Sequence, residues 1–340
     1  MTILYRTKGH CGVEAKGPPR RGVSVVELAV ALSILSLFLA VAIPAAVKAR
    51  AESREAKCSD NLRAQIQGVQ NYELTFGYYP SNGWGFRWVG EPGGKHGADQ
   101  PGSWAYSVLP HMQQQSAGLV NAYALSGSGL PNNQDLLSTP LPVLRCPTRG
   151  TDVMVLNDPN TRPFNARWVR RVFRMDYASN EGDVHFKTDS GPLSLEQAIS
   201  YKWPDNTTAT GIMYQRSEVT RNQVIDGLTN TYFLGEKYVY FEHYLTTISP
   251  GYDQCAFAGA DLDTNRCTAQ PPAWDKTDLR HFRNEGAEFF GSAHPDFCWF
   301  AFGDGSVQRV AYSINPEVHR KRGNRADGLS PAELAMQSIY

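Results

Sequence analysis

The chain has 340 residues, with 33 basic and 33 acidic side chains and 41% hydrophobic residues. Balanced charge excludes a whole-chain attraction to nucleic acid, and six cysteines over this length exclude a disulfide scaffold. The length suits one large or two modest domains with a sizeable core.

The first segment is basic: Arg6, Lys8, Lys16, Arg20 and Arg21 stand against the single acid Glu14. It leads into "RRGVSVVELAVALSILSLFLAVAIP", and residues 28–47 carry no charge over twenty positions. A bilayer core about 30 Å thick needs roughly 20 helical residues, whereas the apolar part of a secretory signal runs only about 7–15. A single transmembrane helix is therefore expected. The basic leader puts the N-terminus in the cytoplasm and the rest of the chain outside. Glu27 is the anomaly, because a carboxylate within a span costs at least ~2.5 kcal/mol and calls for a partner. A cut after Gly22 would supply one, the new ammonium of Val23.

These residues closely resemble the N-terminus of type IV prepilins and type II secretion pseudopilins, in which a prepilin peptidase cuts after the glycine and methylates the new N-terminus. The resemblance implies cleavage at Gly22–Val23, methylation of Val23, and Glu27 as the acid that pairs subunits in the membrane. Pro44 falls where these helices often carry a proline. The first mature residue is usually Phe; here it is Val23.

The helix is expected to continue past the membrane to about residue 76, where Gly77 and Pro80 stop it. Leu62, Ile66, Val69 and Phe76 recur near the spacing of one apolar face, a stripe suited to packing against a globular domain. A helix over 23–76 would be roughly 80 Å long at ~1.5 Å per residue. Beyond Pro80 the chain turns rich in Gly, Pro, Trp and Tyr. "PVLRCP", "TYFLGEKYVYF" and "FCWFAFGDGSVQRVAY" read as strands. "LSLEQAISY" reads as a short helix capped by Ser194 or Ser190, and "SPAELAMQSIY" as a terminal helix. The predicted organisation is a leader (1–22), a long helix (23–76, transmembrane over about 23–47) and an extracytoplasmic α+β domain (77–340). In it a mostly antiparallel sheet packs on the long helix, as in pilins.

"AKCSDNLRAQIQGVQNYELTFGYYP", "GSWAYSVLPHMQQ", "LRCPTRG", "MDYASNEGD", "VIDGLTNTYFLGEK" and "FFGSAHPDFCWFAFGDGSVQRV" occur in this order. Together they resemble a large bacterial family of prepilin-like proteins with a domain of unknown function and a C-terminal H-X9-DG motif. Here the motif is His294 with Asp304 and Gly305. Asp296-Phe297 stands where that family often has glycines. The resemblance implies a location and an assembly class, with no reaction attached.

A His–Asp pair invites a catalytic reading, but six strand residues at ~3.3 Å each separate His294 from Asp304 by about 20 Å. "GDGS" is a hairpin turn signal. The motif is expected to shape a turn. No H-E-x-x-H, P-loop, G-x-S-x-G or C-x-x-C is present, and no two histidines stand at metal-ligand spacing. Neither an enzyme nor a cofactor is expected.

Asp261, Asp263 and Asn265 echo half a calcium loop, but Arg266 stands where the loop needs glycine. Cys255 and Cys267 close a short loop and form a disulfide candidate, with Cys58 and Cys146 a second one. Cys298 reads as a free, buried thiol. The basic run His319-Arg320-Lys321-Arg322 with Arg325 reads as a surface patch. Trp84, Trp88 and Trp104, with Tyr78, Tyr79 and Phe86, support an alternative reading as an anchored carbohydrate-binding or adhesive module. The favoured reading is a prepilin-like structural subunit of the bacterial inner membrane. Its expected partners are prepilin peptidase and other pilin-like subunits, with no nucleic acid.

Overall fold

The structure, a computed structural model, describes residues 22–91, 93, 95–112, 136–150, 154–158, 160–185 and 188–328. The expected leader and terminal helix lie outside the described residues, apart from Gly22. The chain divides into two compact units after Arg50.

One helix, α1 (Val25–Phe76), contributes to both units and runs through Pro44. In the first unit it presents large apolar side chains such as Leu28, Leu35 and Phe38, all exposed. Its start is fixed by a capping box: Ser24 Oγ accepts from the Glu27 amide at 3.2 Å, and the Glu27 carboxylate accepts from the Ser24 amide at 2.9 Å.

In the second unit the apolar stripe of α1 becomes core. Leu62, Ile66 and Val69 are fully buried, joined by Cys58. They meet a five-stranded sheet in the order β5-β3-β4-β8-β9. Its strands are β3 (Tyr177–Gly182), β4 (Tyr232–Glu236), β5 (Asn265–Cys267), β8 (Phe297–Phe302) and β9 (Val307–Ala311). Only β3 and β5 pair in parallel; the other pairings are antiparallel. Strands β1 (Met154–Leu156) and β2 (Arg171–Phe173) form a separate antiparallel pair, and β6 (Ala273–Trp274) and β7 (Gly291–Ser292) a parallel one. This is the expected α+β arrangement. The apolar run of β8 is buried on both faces, as a strand between two neighbours should be. At the sheet edge β9 is buried mainly at Val310.

Two expectations about elements are corrected. "PVLRCP" forms no strand but two short 3-10 turns, Pro142–Leu144 and Pro147–Arg149. Each begins with a proline, which lacks the N–H that a ladder needs. The basic run at 319–325 is no solvated patch. It lies on and after the helix Pro316–Gly323, whose amides Glu317 and Val318 are capped by Asn315. His319 and Arg322 are buried, and Arg325 donates to the carbonyls of Ala209 and Gly211. The short helix Leu195–Ala198 forms with Ser194 as its cap.

Candidate functional site

The C-terminal motif spans one strand. His294 precedes β8 and Asp304 follows it. Asp304 is exposed, and its Oδ1 accepts from the Ser306 amide at 2.9 Å. Gly305 has φ 92°, a left-handed conformation that glycine takes without steric cost. Asp304 and Gly305 therefore build the β8–β9 turn.

His294 meets other partners. Its ring stacks on Phe297 at 5.0 Å between centroids, and its amide donates to Ser292 Oγ. Its Nε2 lies 3.3 Å from Glu236 Oε1 and 3.9 Å from Cys146 Sγ. Cys58, on α1, completes a cluster in which one donor atom from each of Cys58, Cys146, Glu236 and His294 lies within 4.8 Å of every other. All four residues are buried, with at most 3% of any one exposed.

Four separate pieces of chain make this cluster. Asn61 and Gln65 of α1 reach into the turn segment and donate to the carbonyls of Arg145 and Val143, both at 2.7 Å. These bonds lay the turn along the helix and bring Cys146 beside Cys58. Asp176, just ahead of β3, accepts from the Cys146 amide at 2.7 Å. Glu236 ends β4, and its Oε2 accepts from the Trp299 amide of β8 at 3.0 Å. The other oxygen, Oε1, has no hydrogen-bond partner among the described residues although it is buried. Burial pushes the Cys146 thiol well up. Burial pulls the His294 imidazole down, but the hydrogen bond to Cys146 and the facing Glu236 carboxylate outweigh it and lift the group to about 10.

An ionic layer adjoins the cluster. Arg145 and Arg149 pair with Asp176 at 3.2 and 3.1 Å, and Arg149 with Asp275 at 2.9 Å. Ion pairs this deep need a full set of hydrogen bonds to offset desolvation. Tyr252 and Tyr244 complete the set on Asp176 and Asp275.

The remaining sequence candidates fare differently. Cys255 and Cys267 are free thiols rather than a disulfide. Cys255 belongs to the main core cluster, while Cys267 is held on β5 by its backbone bond to Glu288. Burial pushes both thiols up to about 12. Cys58 and Cys146 are also unbridged, and Cys298 is a free, buried thiol. Asn265 does not join a calcium set with Asp261 and Asp263. Its Oδ1 accepts from the amides of Asp261 and Asn82, and its Nδ2 donates to Glu181. Asp253 takes its place beside the two aspartates, and Lys237 Nζ lies 3.9 Å from Asp263.

The aromatic platform is also corrected. Trp84, Trp88, Trp104 and Tyr79 are buried, and the three indoles donate to the carbonyls of Ala98, Pro192 and Thr264. They are core side chains, and Tyr78 and Phe86 are half-buried.

A family model described as a protein of unknown function, DUF1559 (short name SBP_bac_10), matches residues 47–317. The chain belongs to the DUF1559 family. No curated protein and no solved structure matches it. The DUF1559 match covers the turn segment, the sheet and the whole buried cluster. α1, which begins upstream of the match, is long and apolar enough to cross a membrane.

Proposed function

We propose that this DUF1559 protein is a membrane-anchored, prepilin-like structural subunit of the inner membrane. In this reading prepilin peptidase cuts it at Gly22–Val23, and it packs against other pilin-like subunits through α1 in a pilus-like or type II secretion-like assembly. The observation that carries the reading is the start of α1. Gly22, Val23 and Ser24 lie outside the helix, the apolar side chains that follow are exposed, and one acid, Glu27, sits in the first turn. An exposed Gly–Val bond just ahead of a helix is accessible to a peptidase. A helix apolar all round suits lipid or neighbouring helices. The positive leader supports a domain outside the cytoplasm. His294 and Asp304 flank β8 and meet different partners, which supports a structural rather than an enzymatic role.

The test is intact mass of the chain expressed with and without a prepilin peptidase. Cleaved protein should begin at Val23, with or without a methyl group, and Gly22→Ala should keep the leader. Native protein that retains residues 1–22 in the presence of the peptidase would refute the reading.

A further inference from the structure

We propose that Cys58, Cys146, Glu236 and His294 form a closed four-ligand site for a divalent transition metal, zinc by the chemistry of its donors, which fastens α1 to the sheet. Two thiolates, an imidazole and a carboxylate are the donor types of a tetrahedral zinc site, and soft sulfur ligands disfavour calcium or magnesium. With bonds of about 2.0–2.3 Å, tetrahedral donors lie roughly 3.3–3.8 Å apart. The Nε2–Oε1 separation of 3.3 Å and the Sγ–Nε2 separation of 3.9 Å are already close to that. Small side-chain adjustments within the 4.8 Å envelope close the rest.

An independent observation is the orphaned oxygen of Glu236. Oε2 is taken by the Trp299 amide, while Oε1, without a hydrogen bond, faces the imidazole. A buried carboxylate oxygen without a hydrogen bond is destabilising, and a cation at the centre of the four donors would give it a bonded partner. Outer contacts of the kind that orient metal ligands are also in place. Asp176 holds the Cys146 amide, Phe297 stacks on the imidazole, and Thr148 Oγ1 lies 3.9 Å from Cys58 Sγ. Burial of all four ligands suits a structural site with no open position for substrate. A Cys58–Cys146 disulfide, the rival use of the thiols, would leave Glu236 Oε1 and His294 Nε2 with only each other.

The experiment uses the full chain in detergent, purified under reducing, chelator-free conditions and titrated with zinc chloride or cobalt chloride. We expect one equivalent of zinc. With cobalt we expect thiolate-to-cobalt charge-transfer bands and the strong visible absorption of a tetrahedral ion. Glu236→Gln and His294→Gln should each weaken zinc binding by more than about 100-fold, the upper end for outer contacts alone. Cys255→Ser, a core thiol outside the cluster, should bind as wild type. If the ligand variants fail to fold, the cobalt spectrum of the wild-type chain decides. A reduced wild-type chain that takes up no zinc, a six-coordinate cobalt spectrum without sulfur bands, or native protein holding a Cys58–Cys146 disulfide would each overturn the proposal.

Discussion

Replacing Gly305 by valine isolates the structural role of the C-terminal motif. At φ 92° an L-residue pays roughly 1–2 kcal/mol in steric clash between its β-carbon and its own backbone, and a β-branched one more. The new β-carbon would also lie 3.2 Å from Gln70 Nε2. That group donates to the Gly303 carbonyl at 3.0 Å, a bond worth about 1 kcal/mol that the valine would displace. The sum is about 2–3 kcal/mol. For a unit of this size, about 2 °C of melting temperature goes with each kcal/mol, so thermal unfolding of the full chain in detergent should show a fall of roughly 4–6 °C. Asp304→Asn keeps the acceptor for the Ser306 amide and should stay within ~0.5 kcal/mol of wild type. A Gly305→Val chain as stable as wild type, or an Asp304→Asn chain less stable than Gly305→Val, would refute the turn argument.

Glu27→Gln keeps the size of the side chain but removes its charge, so the chain should still be cleaved at Gly22 and should cross-link poorly to other subunits; wild-type cross-linking would dismiss the pairing with the Val23 ammonium. Cys255 and Cys267 should both be alkylated in the denatured, unreduced protein, and a disulfide-linked peptide containing the two would contradict the structure. His319 is held down at about 3 by burial and the Arg322 charge, while its ring lies against Tyr232 and Phe300. The unfolded chain takes up a proton below about pH 6.5 and the folded chain does not until about pH 3, so this group's contribution is intact above pH 6.5. It falls away as the pH drops, by up to about 1.4 kcal/mol per unit. The melting-temperature difference between wild type and His319→Phe should therefore shift against wild type from pH 7 to pH 5, and a pH-independent difference would count against the burial of a neutral imidazole.

Periodicity made α1 and β8 legible. Leu62, Ile66 and Val69 mark one helical face, and an unbroken apolar hexad marks a strand covered on both sides. The turn at Asp304-Gly305 was equally plain, because only certain residues accept its backbone. The cluster was not. Its ligands come from a helix, a turn, a strand end and a loop, and Cys146 and His294 alone are 148 residues apart, so no spacing rule could join them. The pairing of Cys58 with Cys146 could be guessed from sequence, but nothing marked Glu236 or tied the motif histidine, His294, to the two thiols. The tryptophans misled for a related reason: a Gly-rich context suggests exposure, yet close backbone approach is what lets large rings into a core. Gly90 lies against the Tyr106 ring, and Gly191 against Trp88. The basic run misled because charge was counted without its acceptors, the Glu317, Asp327 and Asp183 carboxylates for Arg320 and the Ala209 and Gly211 carbonyls for Arg325.

The spacing of the H-X9-DG motif acquires a physical meaning from the two ends of β8. Between His294 and Asp304 stand Pro295 and Asp296, the six residues of the strand, and Gly303. The turn at Asp304-Gly305 sets the β8–β9 register, which pairs Cys298 with Val310 and Trp299 with Arg309. On the other side β8 lies against β4, where Gly235 pairs with Phe300. That alignment presents the Trp299 amide to Glu236 Oε2, and so turns Oε1 toward His294. A slip of one residue would send every β8 side chain to the opposite face and carry the Trp299 amide away from the carboxylate. The histidine at one end and the turn at the other are thus coupled through strand register without touching. A change in the length of the nine-residue interval should disrupt the cluster even with all four of its side chains intact.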